Sequence, residues 1–161
     1  MLFRSRHLFA LTEAGADLFP HHYVRLTQRL LGEIVGLDAS ETAGRSGGDI
    51  AALVFEKMAE RLAQEYAPRV TGADLPARVR SVVGLVAEEG IDFEVVERPE
   101  GVQLLGRGCP CTRLTGGAAG TCDHDRRMLE RVLGVRVQAL AREQVPHDFH
   151  CGYVVTADTA P

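Results

Sequence analysis

The chain has 161 residues, of which 45% are apolar and 25% charged, with a net charge of −4 at neutral pH. These are the proportions of an ordinary globular protein with room for a real core. No apolar run reaches membrane-spanning length, and the slight negative charge argues against strong nucleic-acid binding by this chain alone. The opening residues Met1-Leu2-Phe3-Arg4-Ser5-Arg6 lack the basic, apolar, small-residue order of a signal peptide. The chain is therefore expected in the cytoplasm, with its cysteines reduced unless a metal holds them.

In chain order, Leu2 to Leu11 reads as a short strand carrying arginines, followed by Thr12 as an N-cap and Glu13 in a first helical turn. Pro20 opens a clearer helix, with Phe19, Tyr23, Leu26, Leu30 and Ile34 on one apolar stripe that Leu31 and Val35 widen. Residues 36–48 are rich in Gly, Ser and Thr, show no periodicity, and read as a mobile connection. A second long helix is expected from about Asp49 to Val70, with the stripe Ile50, Val54, Met58, Leu62 and Tyr66. Its partner is either the Pro20 helix or a second copy of the chain. Two such stripes carry more apolar face than one small domain readily covers, which predicts a homodimer.

From Leu75 the pattern changes. Leu75, Val79, Val82, Val83 and Val86 predict a helix ending at Gly90. Ile91 to Val95 alternates as a strand, Pro99-Glu100-Gly101 makes a turn, and Val102 to Leu105 is a second strand. Asp123 is a candidate cap for a helix carrying Met128, Leu129, Val132 and Leu133. Val135 to Leu140 and Cys151 to Val155 are the last strands. The fold class is thus α+β. Its parts are residues 1–36, a connection at 37–48, a long helix at 49–72, and an α-β-β-α-β-β domain at 73–161. The two halves of that domain form a weak repeat, which would bring the chain after the second strand, with Cys109, near the start of the fourth, with Cys151.

Four cysteines, all in the last third, dominate the functional reading. Twelve residues separate Cys109 from Cys122, and twenty-eight separate Cys122 from Cys151. Thiolates are soft ligands, and such a group in a reducing compartment points to metal or iron–sulfur chemistry before disulfides. Gly106, Gly108 and Pro110 make the Cys109 turn tight. Cys122 lies just before a helix, where backbone N–H groups favour a thiolate. Cys111, His124, His147 and His150 are candidates for a fourth ligand. The spacings match neither zinc-ribbon knuckles nor common ferredoxin runs. The bland alternative is small buried hydrophobes. Arg4, Arg6, Arg25, Arg126 and Arg127 read by default as solvated charge, and His21-His22 as a solvated first turn. No phosphate loop or G-x-S-x-G turn is present, so the chain is not expected to be an enzyme. Cys–His catalysis by Cys109 or Cys151 with His150 stays open.

Arg4 to Gly15, with Phe19-Pro20, Tyr23 and Leu30-Leu31, resembles the wing strand and following turn of a winged helix-turn-helix regulator. Cys109-Pro110, Cys122 and His150-Cys151-Gly152-Tyr153 are similar to the sensor domain of SufR-like iron–sulfur regulators, within the ArsR/DeoR-type proteins. That resemblance implies a dimeric bacterial transcription regulator. Cys109, Cys122 and Cys151 would hold an iron–sulfur cluster of the 4Fe–4S or 2Fe–2S type, with Cys111 or His150 as a fourth ligand. Arg4 and Arg6 would touch DNA backbone from the wing. The family's DNA-reading helices precede the wing and are not expected in this chain, so it would bind DNA only weakly. Cys111 is an extra thiol beside the first ligand. A zinc site and a metal-free thiol sensor or ligand-binding module are the competing readings.

Overall fold

A computed structural model describes residues 23–107 and 121–159. Helix α1 runs Tyr23–Val35, α2 Ala39–Thr42 and α3 Gly47–Tyr66, followed by a 3-10 turn at Ala67–Arg69. Helix α4 (Leu75–Ala87) leads into strands β1 (Asp92–Arg98) and β2 (Gly101–Arg107). Helix α5 (Thr121–Leu133) leads into β3 (Val135–Ala139), a 3-10 turn at Arg142–Gln144, and β4 (Cys151–Thr159). The class is α+β. The strands form one antiparallel sheet in the order β1-β2-β4-β3. Each helix–hairpin half thus sends its second strand to the centre, and β2 and β4 are hydrogen-bonded neighbours. The proposed wing strand with Arg4 and Arg6, the Thr12 cap, His21-His22, and the start of the Pro20 helix lie outside the described residues.

The helix ends follow from side-chain chemistry. Ser46 and Asp49 form a reciprocal capping box at the start of α3, and Asp74 caps α4 by accepting from Ala77 N at 2.8 Å. Pro68 follows the end of α3, where the chain tightens into the 3-10 turn instead of continuing to Val70. The connection at 36–48 is not structureless. Asp38 Oδ1 accepts from Ser40 N at 2.7 Å and Glu41 N at 3.0 Å, while Glu41 Oε2 accepts from Asp38 N at 3.1 Å. Glu41 also meets Lys57 of α3 at 2.6 Å, so α2 is tied to the long helix.

Period-two alternation divides the sheet into two faces. Val102, Leu104, Tyr153, Val155, Val137 and Phe93 face the helices and join one core with Met128, Leu129 and Leu133 of α5 and Val79, Val82 and Val86 of α4. Met58, Leu62 and Tyr66 of α3 belong to the same core, as does Leu26 of α1. The stripe of α3 is therefore covered within the chain, mainly by α5 and partly by α1. Each fully buried Leu, Val or Met there contributes about 1.5–3 kcal/mol. On the other face, Leu105, Val145 and Phe149 make a second small cluster beneath the β3–β4 connection. Pro99 and Glu100 turn the β1–β2 hairpin into Gly101, whose φ of +149° and approach to Val155 O leave no room for a side chain.

Helix α1 is rotated relative to the expected stripe. Leu26 and Glu33 are buried and Leu30 is partly buried, whereas Val24, Leu31, Ile34 and Val35 are exposed. Ile34 gives up its inward place because Glu33 accepts from Arg61 of α3, through Nη2 at 3.1 Å and through Nε. Arg25 is not simply solvated charge either. With Arg29 it converges on Glu89, just beyond α4. Arg29 Nε donates at 2.8 Å and Nη2 at 2.7 Å, Arg25 Nε lies at 2.9 Å, and Tyr66 OH donates at 2.7 Å. Burial opposes ionisation of Glu89, but the hydrogen bonds from Arg29 and Tyr66 outweigh it and hold the carboxyl below its ordinary value. Burial, followed by the bond to Glu89, raises the Tyr66 phenol well above its usual range. No helix among the described residues is long and apolar enough to cross a membrane.

Candidate metal centre

Three chain segments meet at one corner of the sheet: the end of β2, the start of β4 and the first turn of α5. In the β2–β4 register, Gly106 faces Cys151, and His150 N donates to Gly106 O at 2.9 Å. Cys151 is half-buried on the helix side of the sheet, packed against the main core. Its Sγ lies 2.6 Å from where a Cβ on Gly106 would stand, beside the Phe93 ring. The sulfur thus sits in a space that only glycine leaves open. Next to it is a cavity of about 400 Å³ whose walls include Cys151, Tyr153, His150, Asp123, Arg126 and Arg142.

Helix α5 enters this corner at its N-terminus. Asp123 was expected as the cap but is the third residue of the helix, which begins two residues earlier. Its carboxylate serves the helix's own arginines instead. Arg126 Nε donates to Oδ1 at 2.7 Å and Arg127 Nε to Oδ2 at 2.7 Å. The hydrogen bond from Arg126 holds the Asp123 carboxyl below its usual range. Arg126 also reaches Glu130 at 2.7 Å, and Arg127 reaches Glu56 of α3 at 3.1 Å. The Arg126-Arg127 pair is therefore built into an ion network, in contrast to the solvated face expected of it.

The candidate ligands separate clearly. Cys109 and Cys111 lie outside the described residues. β2 ends at Arg107, two positions before Cys109. Cys122 is the second residue of α5, and only its backbone is described. Cys151 opens β4, and His150, exposed, borders the same cavity. His147 is exposed and does not line it. His124, the next residue along α5, packs against α3. It is buried, its ring centroid is 5.8 Å from that of Phe55 on α3, and its Nδ1 is 3.0 Å from Asp125 Oδ1. Among the described residues, no group of three His, Cys, Asp or Glu side chains is close enough to hold a metal ion.

Two features around Cys151 were not anticipated. One is the Gly106 seat: Gly106, expected in the tight turn before Cys109, instead lies within β2, which runs two residues past the expected end at Leu105. The other is the stacking of the Arg107 guanidinium over the Phe149 ring, 4.2 Å from its centroid, across the turn that precedes Cys151. No periodicity announces such a pair. Comparison with known proteins finds no matching family model, no matching curated protein and no matching solved structure.

Proposed function

We propose that this chain is the iron–sulfur-sensing and dimerisation part of a bacterial transcriptional regulator, holding its cluster through Cys109, Cys122 and Cys151. The observation that carries the reading is the meeting of three segments at one corner. Cys151 stands opposite Gly106, β2 ends two residues before Cys109, and the residue after Cys122 lines the cavity beside Cys151. The donor set suits the group, because thiolates are the ligands that such clusters take and the Gly106 seat leaves space for the Cys151 sulfur. When bound, the cluster would supply sensitivity to iron, oxygen or redox state. The chain's own residues seat the Cys151 thiol and pack around it.

The exposed apolar residues of α1 support the dimer. With a net charge of −4, the chain is proposed to bind DNA weakly and without sequence preference. Salt-resistant binding to one defined duplex, in a titration of ionic strength, would contradict this.

The deciding experiment is reconstitution without oxygen, followed by iron, sulfide and zinc analysis and visible absorption. Iron with sulfide and a visible band is the expected result. Zinc without sulfide would make the corner a structural zinc module. No metal at all would leave a thiol sensor or buried thiols, and the cluster reading would fall.

A further inference from the structure

Gly106 and Arg107 end β2 and meet the start of β4 from opposite faces of the sheet. The φ of Gly106 is not positive, so backbone conformation does not account for the glycine. Space does. A Cβ there would lie 2.6 Å from Cys151 Sγ and 3.0 Å from the Phe93 ring, distances that require something to move. Phe93 is buried in the core, and the sulfur borders the open cavity, so the sulfur is the part that would give way.

On the other face, the Arg107 guanidinium lies over Phe149 and its Nη2 donates to Glu94 Oε2 at 3.0 Å. Phe149 is buried against Leu105 and Val145, and its carbonyl accepts from Arg142 Nη1 at 2.8 Å. Arg107 and Glu94 are both about half exposed, so their ion pair contributes little. The flat guanidinium on the ring is the interaction an ammonium group reproduces poorly.

We propose that Gly106 and Arg107 are positioning residues for the Cys151 sulfur: Gly106 makes its seat, and the Arg107–Phe149 stack holds the turn that delivers it there. The use of that sulfur as a cluster ligand rests on the iron–sulfur reading. Its placement does not.

The test uses the full chain with Cys109, Cys111 and Cys122 changed to serine, so that Cys151 is the one thiol left to react with iodoacetamide. Arg107→Ala and Arg107→Lys should each raise the alkylation rate about threefold or more, by loosening the turn. Glu94→Gln, which keeps the stack, should leave the rate unchanged. Gly106→Ala should raise it further by pushing the sulfur toward the cavity. If Gly106→Ala fails to fold, as read by circular dichroism, the exposed Arg107 variants still decide. Unchanged rates in folded Arg107 variants would overturn the proposal. So would an equal acceleration by Glu94→Gln, which would assign the effect to the ion pair. With all cysteines restored, Arg107→Ala should lose its reconstituted visible band to a chelator about threefold faster than the parent. A parent that binds no iron would sink the cluster reading, while the alkylation rates would still decide the positioning. A parent that holds a cluster, with Cys151 rates unaltered by the variants, would do the reverse.

Discussion

Replacing Glu89 by alanine tests what fastens α1 to the body of the protein. The Glu89 side chain is 8% exposed and faces Arg29, which is 16% exposed, and the buried Tyr66 hydroxyl. Removing the carboxylate leaves that hydroxyl without the acceptor it uses, at a cost of about 1–3 kcal/mol. Breaking a fully buried ion pair costs about 3–5 kcal/mol. Arg29 keeps Glu65 at 3.1 Å and 3.3 Å, and Arg25 is 41% exposed, so the ionic part is smaller here. The expected loss for Glu89→Ala is about 3 kcal/mol, or roughly 6–12 °C in melting temperature for a chain of this size. Glu89→Gln keeps an acceptor for Tyr66 and should cost about 1–2 kcal/mol. Tyr66→Phe leaves the guanidinium contacts intact and should cost about 1 kcal/mol. Urea unfolding gives the magnitudes. Hydrogen exchange gives the location, with Tyr23–Val35 amides losing protection before those of the sheet. A Tyr66→Phe loss equal to that of Glu89→Ala, or a Glu89→Ala loss under about 1 kcal/mol, would refute the idea that this carboxylate is the hub.

The same carboxylate sets a pH dependence. Its folded value lies below the ordinary 4.5, so its contribution is fully present above that value and is lost as pH falls through the lower, folded one. The stability gap between parent and Glu89→Gln should therefore narrow from about pH 6 to about pH 3 in urea titrations, and a gap that widens would reverse the sign of the argument. Leu31→Asp and Val35→Asp, on the exposed face of α1, should convert a two-chain mass in light scattering to a one-chain mass without loss of helicity. A variant that stays dimeric would place the interface elsewhere. Among single Cys→Ser proteins reconstituted without oxygen, changes at Cys109, Cys122 and Cys151 should each abolish the cluster, and Cys111→Ser should matter less. Loss with Cys111→Ser and retention with Cys151→Ser would show the ligand set to be misassigned.

Long period-3.6 stripes made the major helices legible, since Val54, Met58, Leu62 and Tyr66 can be buried together in no other way. Strand alternation likewise separated the face of Leu104 from that of Leu105. The rotation of α1 was not legible, because Leu26-Leu30-Ile34 and Val24-Leu31-Val35 fit a helical stripe equally well. Arg61 resolves the tie by drawing Glu33 inward, and that arginine stands on another helix. Helix α2 was legible but was read through its composition. The Asp38 to Glu41 spacing is that of a capping box, and it outweighs the glycines and serines around it.

The candidate site was legible at the level of chain order and no further. A repeat of helix and hairpin brings the second strands of both halves together, and so predicts that the end of β2 lies near the start of β4. Register is a finer matter, because one residue of slip would move Cys151 to the opposite face of the sheet. The registers that hold it are fixed by partners far apart in sequence: Gly106 with Cys151, His150 with Gly106, and Arg107 with Phe149. Strand length also matters. The expected strand to Leu140 ends one residue earlier, at Ala139 opposite Tyr153, so β3 stops short of the Cys151 end of β4. Leu140 N still donates to Gly152 O at 2.8 Å just past that end, and both residues line the cavity that lies where the start of β4 and the first turn of α5 meet.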